Sequence, residues 1–208
     1  MPFYYSKNQM SNFVSCFKNN MRLEFDTYAK GYRFAARTVT EKLLSKQSFP
    51  DYNAYPVVFL YRHSFELYLK HIIYSSSHIA AFRRMENIDS KLYKNHDLLY
   101  LSEVSIKILK ITFPDDNDIA ELFKDIKSIA REITDLDKGS FSYRYPIDNH
   151  GNPSTQKHQI VNLIAFADCM EEFLTKLDIV NFGIEITKER VQEIYEYFEN
   201  LFPPNDKL

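Results

Sequence analysis

Glycine is scarce in this chain. There are four in 208 residues, Gly31, Gly139, Gly151 and Gly183, where a usual share of about 7% would give roughly fourteen. The shortage excludes a G-x-G-x-x-G dinucleotide fingerprint and a G-x-x-x-x-G-K-[ST] phosphate loop. It also argues against a hairpin-rich β protein, whose turns need residues at positive φ. Cysteine is nearly absent too. Cys16 and Cys169 have neither CxxC spacing nor metal-ligand neighbours. Both flank apolar residues, so they are expected as buried free thiols in a reducing compartment. Tryptophan is missing, and the 15% aromatic share rests on 15 Tyr and 17 Phe. These rings are expected in the core; the alternative is a Tyr surface that stacks on bases or a partner. Neither sign of charge dominates: 26 basic and 28 acidic side chains leave a net charge of −2. A general nucleic-acid coat is thereby excluded, and any RNA contact needs a local basic patch. No long apolar run exists either. The richest stretch, 55–74, is interrupted by Arg62, His63, Glu66, Lys70 and His71, so it is not expected to cross a bilayer. The opening MPFYYSKNQM lacks a basic start followed by an apolar stretch. The expectation is a soluble cytoplasmic protein.

What is present is helical periodicity. Residues 21–46 carry a rough stripe of Leu23, Tyr28, Phe34 and Val39, closed by Leu43 and Leu44. Ser48-Phe49-Pro50-Asp51 breaks it. A second helix is expected from Asn53 as N-cap, with Pro56 in its first turn, through the YSSS at 74–77. Apolar residues nearly encircle it, which predicts a central position. Residues 79–95 read as a loop with a short helix. Further helices are expected over 97–111, 116–136, 154–177 and 187–201. In the fifth, Ile160, Leu163, Ile164, Ala167, Phe173 and Leu174 should face inward, and 179–183 reads as a connector. In the last, Val191, Ile194, Tyr195, Phe198 and Leu201 share a face. The sum is an all-α, antiparallel helical bundle of about six helices with one ordered loop near 140–153. It is expected to form a single domain over 1–208: an arm or short helix at 1–20, a core at 21–178 and a C-terminal helix at 185–201.

Three constellations could carry chemistry. On the second helix Arg62, Glu66 and Lys70 fall at i, i+4 and i+8, with His63 and His71 beside them. They form either a solvent-facing ladder or the wall of a polar cleft in which Glu66 anchors a cation from another segment. Next, Asn95-His96-Asp97-Leu98 opens a helix. Asn95 or Asp97 suits capping, and His96 either donates to a carbonyl or binds an anion at the helix start. The third is the loop Tyr143-Arg144-Tyr145-Pro146-Ile147-Asp148-Asn149-His150-Gly151. It is either a functional loop or one pinned by Arg144 on Glu66 or another bundle carboxylate. No histidine pair has H-E-x-x-H spacing and no Cys/His grouping has zinc spacing. Neither a metal nor a cofactor is expected.

Phe59 to Lys70, FLYRHSFELYLK, resembles the second helix of HEPN domains, the higher-eukaryote and prokaryote nucleotide-binding superfamily. Asn95-His96-Asp97-Leu98 with Leu101 is similar to the Gly-His-Asp-Leu-x-x-Leu segment that opens that family's next helix. The resemblance covers about residues 50–175. It implies a metal-independent ribonuclease or RNA-binding protein of a toxin–antitoxin or phage-defence system, with RNA or a nucleotide, a second copy and a cognate protein as partners. Active members carry Arg, four to six residues, then His. Arg144 and His150 satisfy that spacing, although Tyr145 and Pro146 stand where the family usually has a polar residue and a helix start. On this resemblance Arg144 and His150 are catalytic. His150 transfers a proton, Arg144 stabilises phosphoryl charge, and Glu66 orients Arg144. The binding or orienting set is Glu66, Arg62, Lys70, His96, Asp148, Tyr143 and Tyr145. The alternative is a non-catalytic interaction or dimerisation module with a structural Arg144 loop.

Overall fold

The computed structural model describes residues 24–46, 48–82, 94–137, 140, 142–148, 150–154 and 160–201. The expected N-terminal arm, Cys16, Leu23 and Gly139 lie outside them. The chain forms an all-helical bundle of α1 (Glu24–Leu44), α2 (Tyr55–Phe82), α3 (Leu98–Thr112), α4 (Asn117–Leu136) and α5 (Leu163–Leu201), with a short 3-10 turn at Asp51–Asn53. Among the described residues there is no strand, only an isolated antiparallel bridge between Ile147 and Pro153. No described helix is long and apolar enough to cross a membrane.

α2 is the axis, and α1, α3 and α5 all pack on it. From Tyr61 to Ile73 every residue but His63 is buried. α1 runs antiparallel to α2, since Phe25 stacks on Tyr74 and Tyr32 meets His63 edge-on. α5 runs parallel to α2: Tyr61 bonds Glu171, Phe65 meets Phe173 and Tyr68 bonds Asp178.

The inward face of α1 differs from the expected stripe. Ala29, Ala36, Thr40 and Leu43 are buried, with Phe25, Tyr32 and Val39 packed against the core. Tyr28, Phe34 and Leu44 are exposed. Small residues win that face because they let the backbones approach. The Ser64 hydroxyl donates across the contact to the Ala29 carbonyl at 2.8 Å.

Three boundaries also differ. α2 continues past the serines to Phe82, because Ser75 and Ser76 are buried and Ser77 folds its hydroxyl back on the Tyr74 carbonyl. α5 begins at Leu163, not 154, where Asn162 accepts from the Ala165 amide at 3.1 Å as a cap. Ile160 and Ile164 are therefore 98% and 52% exposed rather than inward. Finally, 179–183 is not a connector. The two expected C-terminal helices are one helix of 39 residues, because Val180, Asn181 and Ile184 stay buried and carry the stripe through. Cys169 lies off that stripe and is exposed, which corrects the buried thiol.

Candidate functional site

The charged stripe of α2 is neither a solvent ladder nor an open wall; it is buried. The Arg62, Glu66 and Lys70 side chains are 2%, 1% and 4% exposed. Glu66 accepts from Arg62 Nη1 at 3.0 Å on one carboxylate oxygen. On the other it receives Lys70 Nζ at 2.8 Å and lies 2.7 Å from His96 Nδ1. Burial pushes the Glu66 carboxyl up, but the Lys70 bond and the charges of Lys70, Arg62 and His96 outweigh it and hold the carboxyl down at about 2.

Arg62 is a junction of three chain segments. Beyond Glu66, its Nη2 donates to the His96 carbonyl at 2.9 Å, which fixes the entry to α3. Its Nε lies 3.3 Å from Asp137 Oδ2, outside hydrogen-bond geometry for both atoms. Asp137 ends α4 and takes the Ser142 amide at 2.8 Å on its other oxygen, so it fixes the start of the following loop. The entry to α3 is capped separately: Asp97 accepts from the Leu99 and Tyr100 amides.

His96 is the exposed member of this group, with 61% of its side chain open. His63, by contrast, is a packed histidine between Tyr32, edge-on at 4.5 Å, and Phe59, stacked at 5.6 Å. Burial lowers its pKa; Glu66 pulls it up, and Arg62, Lys70 and Arg144 push it further down.

The loop does not pair with Glu66 as expected. Arg144 donates instead from Nε to the Ser140 carbonyl at 2.6 Å and from Nη2 to the Ser140 hydroxyl at 3.0 Å. Glu66 already has its donors, and Arg144 lies over the Phe59 ring at 5.4 Å and the Tyr145 ring at 5.8 Å. Ser140 sits at φ 70°, a left-handed conformation that few non-glycine residues adopt. The two Arg144 bonds span that turn and hold it. Tyr143 meets Tyr55 edge-on at 5.8 Å, and both line a cavity of about 310 Å³ with Phe49, Val58 and Leu163.

Downstream the chain forms a small ribbon. Ser154 donates to the Pro146 carbonyl and Asp148 to the Asn152 carbonyl. The Asp148 carboxylate takes the amides of His150 and Asn152 at 2.8 and 2.9 Å. The Asn152 amide does most to lower its pKa, burial opposes it, and the His150 amide lowers it further. Gly151, at φ 81°, makes the turn. The His150 ring is exposed at its tip.

Arg62, Glu66, Lys70 and His96 thus converge; Arg144, with Tyr145 beside it, lies over Phe59 one turn earlier on α2, and Tyr143 meets Tyr55 a turn before that. Asp148 and His150 belong to the ribbon. Asp137, Ser140 and Phe59 were not singled out as site residues by their sequence positions. The signal for Asp137 was its place just after α4, which reads as a cap. Among the described residues no group of three His, Cys, Asp or Glu side chains could hold a metal ion. Comparison with family models, curated proteins and solved structures finds no match to this chain.

Proposed function

We propose that this chain is a HEPN-like protein that acts on RNA without a metal, as a ribonuclease or RNA-binding member of a toxin–antitoxin or phage-defence system. The observation that carries the reading is Arg62. It ties together the three segments in which the resemblance to HEPN domains resides: the helix 59–70, the entry to α3 at His96, and the loop after Asp137 that leads to Arg144 and His150. On this reading Arg144 neutralises a phosphate, His150 transfers a proton and the RNA 2′-hydroxyl is the internal nucleophile. A homodimer sets two such sites together. Phe34, Ile179 and Phe182, each about two-thirds exposed or more, neighbour the α1–α5 contact in sequence and offer apolar surface for it. The test is cleavage of single-stranded RNA in EDTA by the wild type, Arg144→Ala and His150→Ala. Loss of cleavage in both variants is the expected result.

A second reading has its own support. Arg144 spends two donors on Ser140 and holds a strained turn, which suits a non-catalytic interaction module with a structural arginine. No cleavage by the wild type, with Arg144→Ala melting at a lower temperature, would favour it.

A further inference from the structure

Glu66 has more partners than its burial requires. Arg62 and Lys70, both buried on the same helix, already balance its charge and bond both of its oxygens. His96 comes from another segment as a third partner, and it alone of the three reaches solvent. Nor is the imidazole needed to anchor the backbone. The His96 carbonyl is held by Arg62, and the start of α3 is capped by Asp97. What the Glu66 bond does fix is the ring itself. A buried, ionised carboxylate 2.7 Å from Nδ1 keeps the neutral imidazole protonated on Nδ1, so that the lone pair on Nε2 faces outward. No described residue bonds Nε2. A carboxylate behind one ring nitrogen and open solvent before the other is the arrangement of an acid–base histidine.

We propose that His96, set by Glu66 as its positioning residue, is a second proton-transferring residue of this protein, beside the His150 assigned above. Its substrate is an RNA phosphodiester, a choice that rests on the proposed function; the Glu66–His96 pair does not rest on it. The proton of the 2′-hydroxyl passes to His96 Nε2. The 2′-oxygen bonds to phosphorus, the bond from phosphorus to the 5′-oxygen breaks, and the leaving oxygen takes a proton from the His150 of the proposed function, which regains one from water. A 2′,3′-cyclic phosphate and a 5′-hydroxyl result, and the His96 imidazolium returns its proton to water.

The experiment has two arms on the full chain. In the first, wild type, His96→Gln and His150→Gln are assayed on a single-stranded oligoribonucleotide in EDTA. Loss of about 100-fold or more in His96→Gln, with an unchanged circular dichroism spectrum, is expected. Wild-type rates in His96→Gln overturn the proposal, and they leave the RNA reading intact if the wild type cleaves. The second arm is ¹⁵N NMR of the histidine rings, which reads the tautomer without any substrate. The expected His96 signal is that of a ring protonated on Nδ1 in its neutral form, where an unrestrained imidazole favours Nε2. A neutral ring protonated on Nε2 overturns the pair whatever the RNA result. If the wild type cleaves no RNA, the proposed function falls and so does the catalytic assignment of His96, while the tautomer still decides whether the pair exists.

Discussion

At the scale of single residues, the molecule is most sensitive where four charges share one buried place. Glu66, Arg62, Lys70 and Asp137 are all about 4% exposed or less. A buried pair adds little over an apolar replacement of both partners, but removing one partner strands the other and costs about 3–5 kcal/mol. Arg62→Met and Glu66→Gln should each lower the free energy of unfolding in urea by that amount. His96→Ala should cost less than about 1 kcal/mol, since its ring is mostly in water and Glu66 keeps two partners. Equal losses in all three would mean that His96 is as structural as Arg62.

At the scale of elements, the helices show which signals in the sequence were strong. Asp97 and Asp116, read from the sequence as the starts of α3 and α4, do cap them. The buried face of α4, Leu122, Ile126, Ile129, Ala130 and Ile133, falls at helical spacing within the expected range 116–136. The face of α1 was misread because large side chains drew attention from Ala29 and Ala36, and close helix contact selects small ones. The polar cluster on α2 was visible as five ionisable residues on an apolar helix. Its partners were not, because Asp137 and His96 reach Arg62 from segments far away in sequence. The expected Glu66–Arg144 pairing fails because the nearer cations Arg62 and Lys70 hold Glu66.

Two glycines sit inside helices without a close neighbour. A Cβ on Gly31 would meet nothing within 4 Å, and one on Gly183 would meet only Phe113 at 3.7 Å. Gly31→Ala and Gly183→Ala should each raise stability by about 0.5–1 kcal/mol, measured by thermal melting. Asn162→Ala should lower it by about 1 kcal/mol through the lost cap of α5.

At the scale of the whole molecule, the protonation of buried groups predicts an acid-labile fold. Burial lowers the pKa of His63 and of His71, so both are neutral when folded. Their contribution is intact above the unfolded value of about 6.5 and is lost as the pH falls toward their depressed folded values. Glu66 acts lower down. Its contribution is complete above its unfolded value of 4.5 and disappears as the pH falls through about 2. That loss amounts to about 3 kcal/mol. Melting temperatures taken from pH 8 to pH 2 should therefore fall in two stages, and His71→Phe should flatten the upper one. The α1–α5 contact is also polar. Arg33 bonds Glu171 at 2.9 Å and Asp178 at 2.7 Å, and these carboxylates in turn hold Tyr61 and Tyr68.

The 39 residues of α5 reach roughly 58 Å at about 1.5 Å per residue. As far as Ile184 the helix is stitched into the core, whereas from Glu189 to Tyr197 every side chain but the half-buried Val191 is exposed. One continuous rod then carries two clocks. Amides from Ala167 to Ile184 should exchange with deuterium only when the whole molecule opens. Those beyond Glu189 rely on local pairs such as Gln192–Glu196 and should exchange orders of magnitude sooner by fraying from the end. Uniform protection along the rod would instead mark its outer half as covered by another surface in solution.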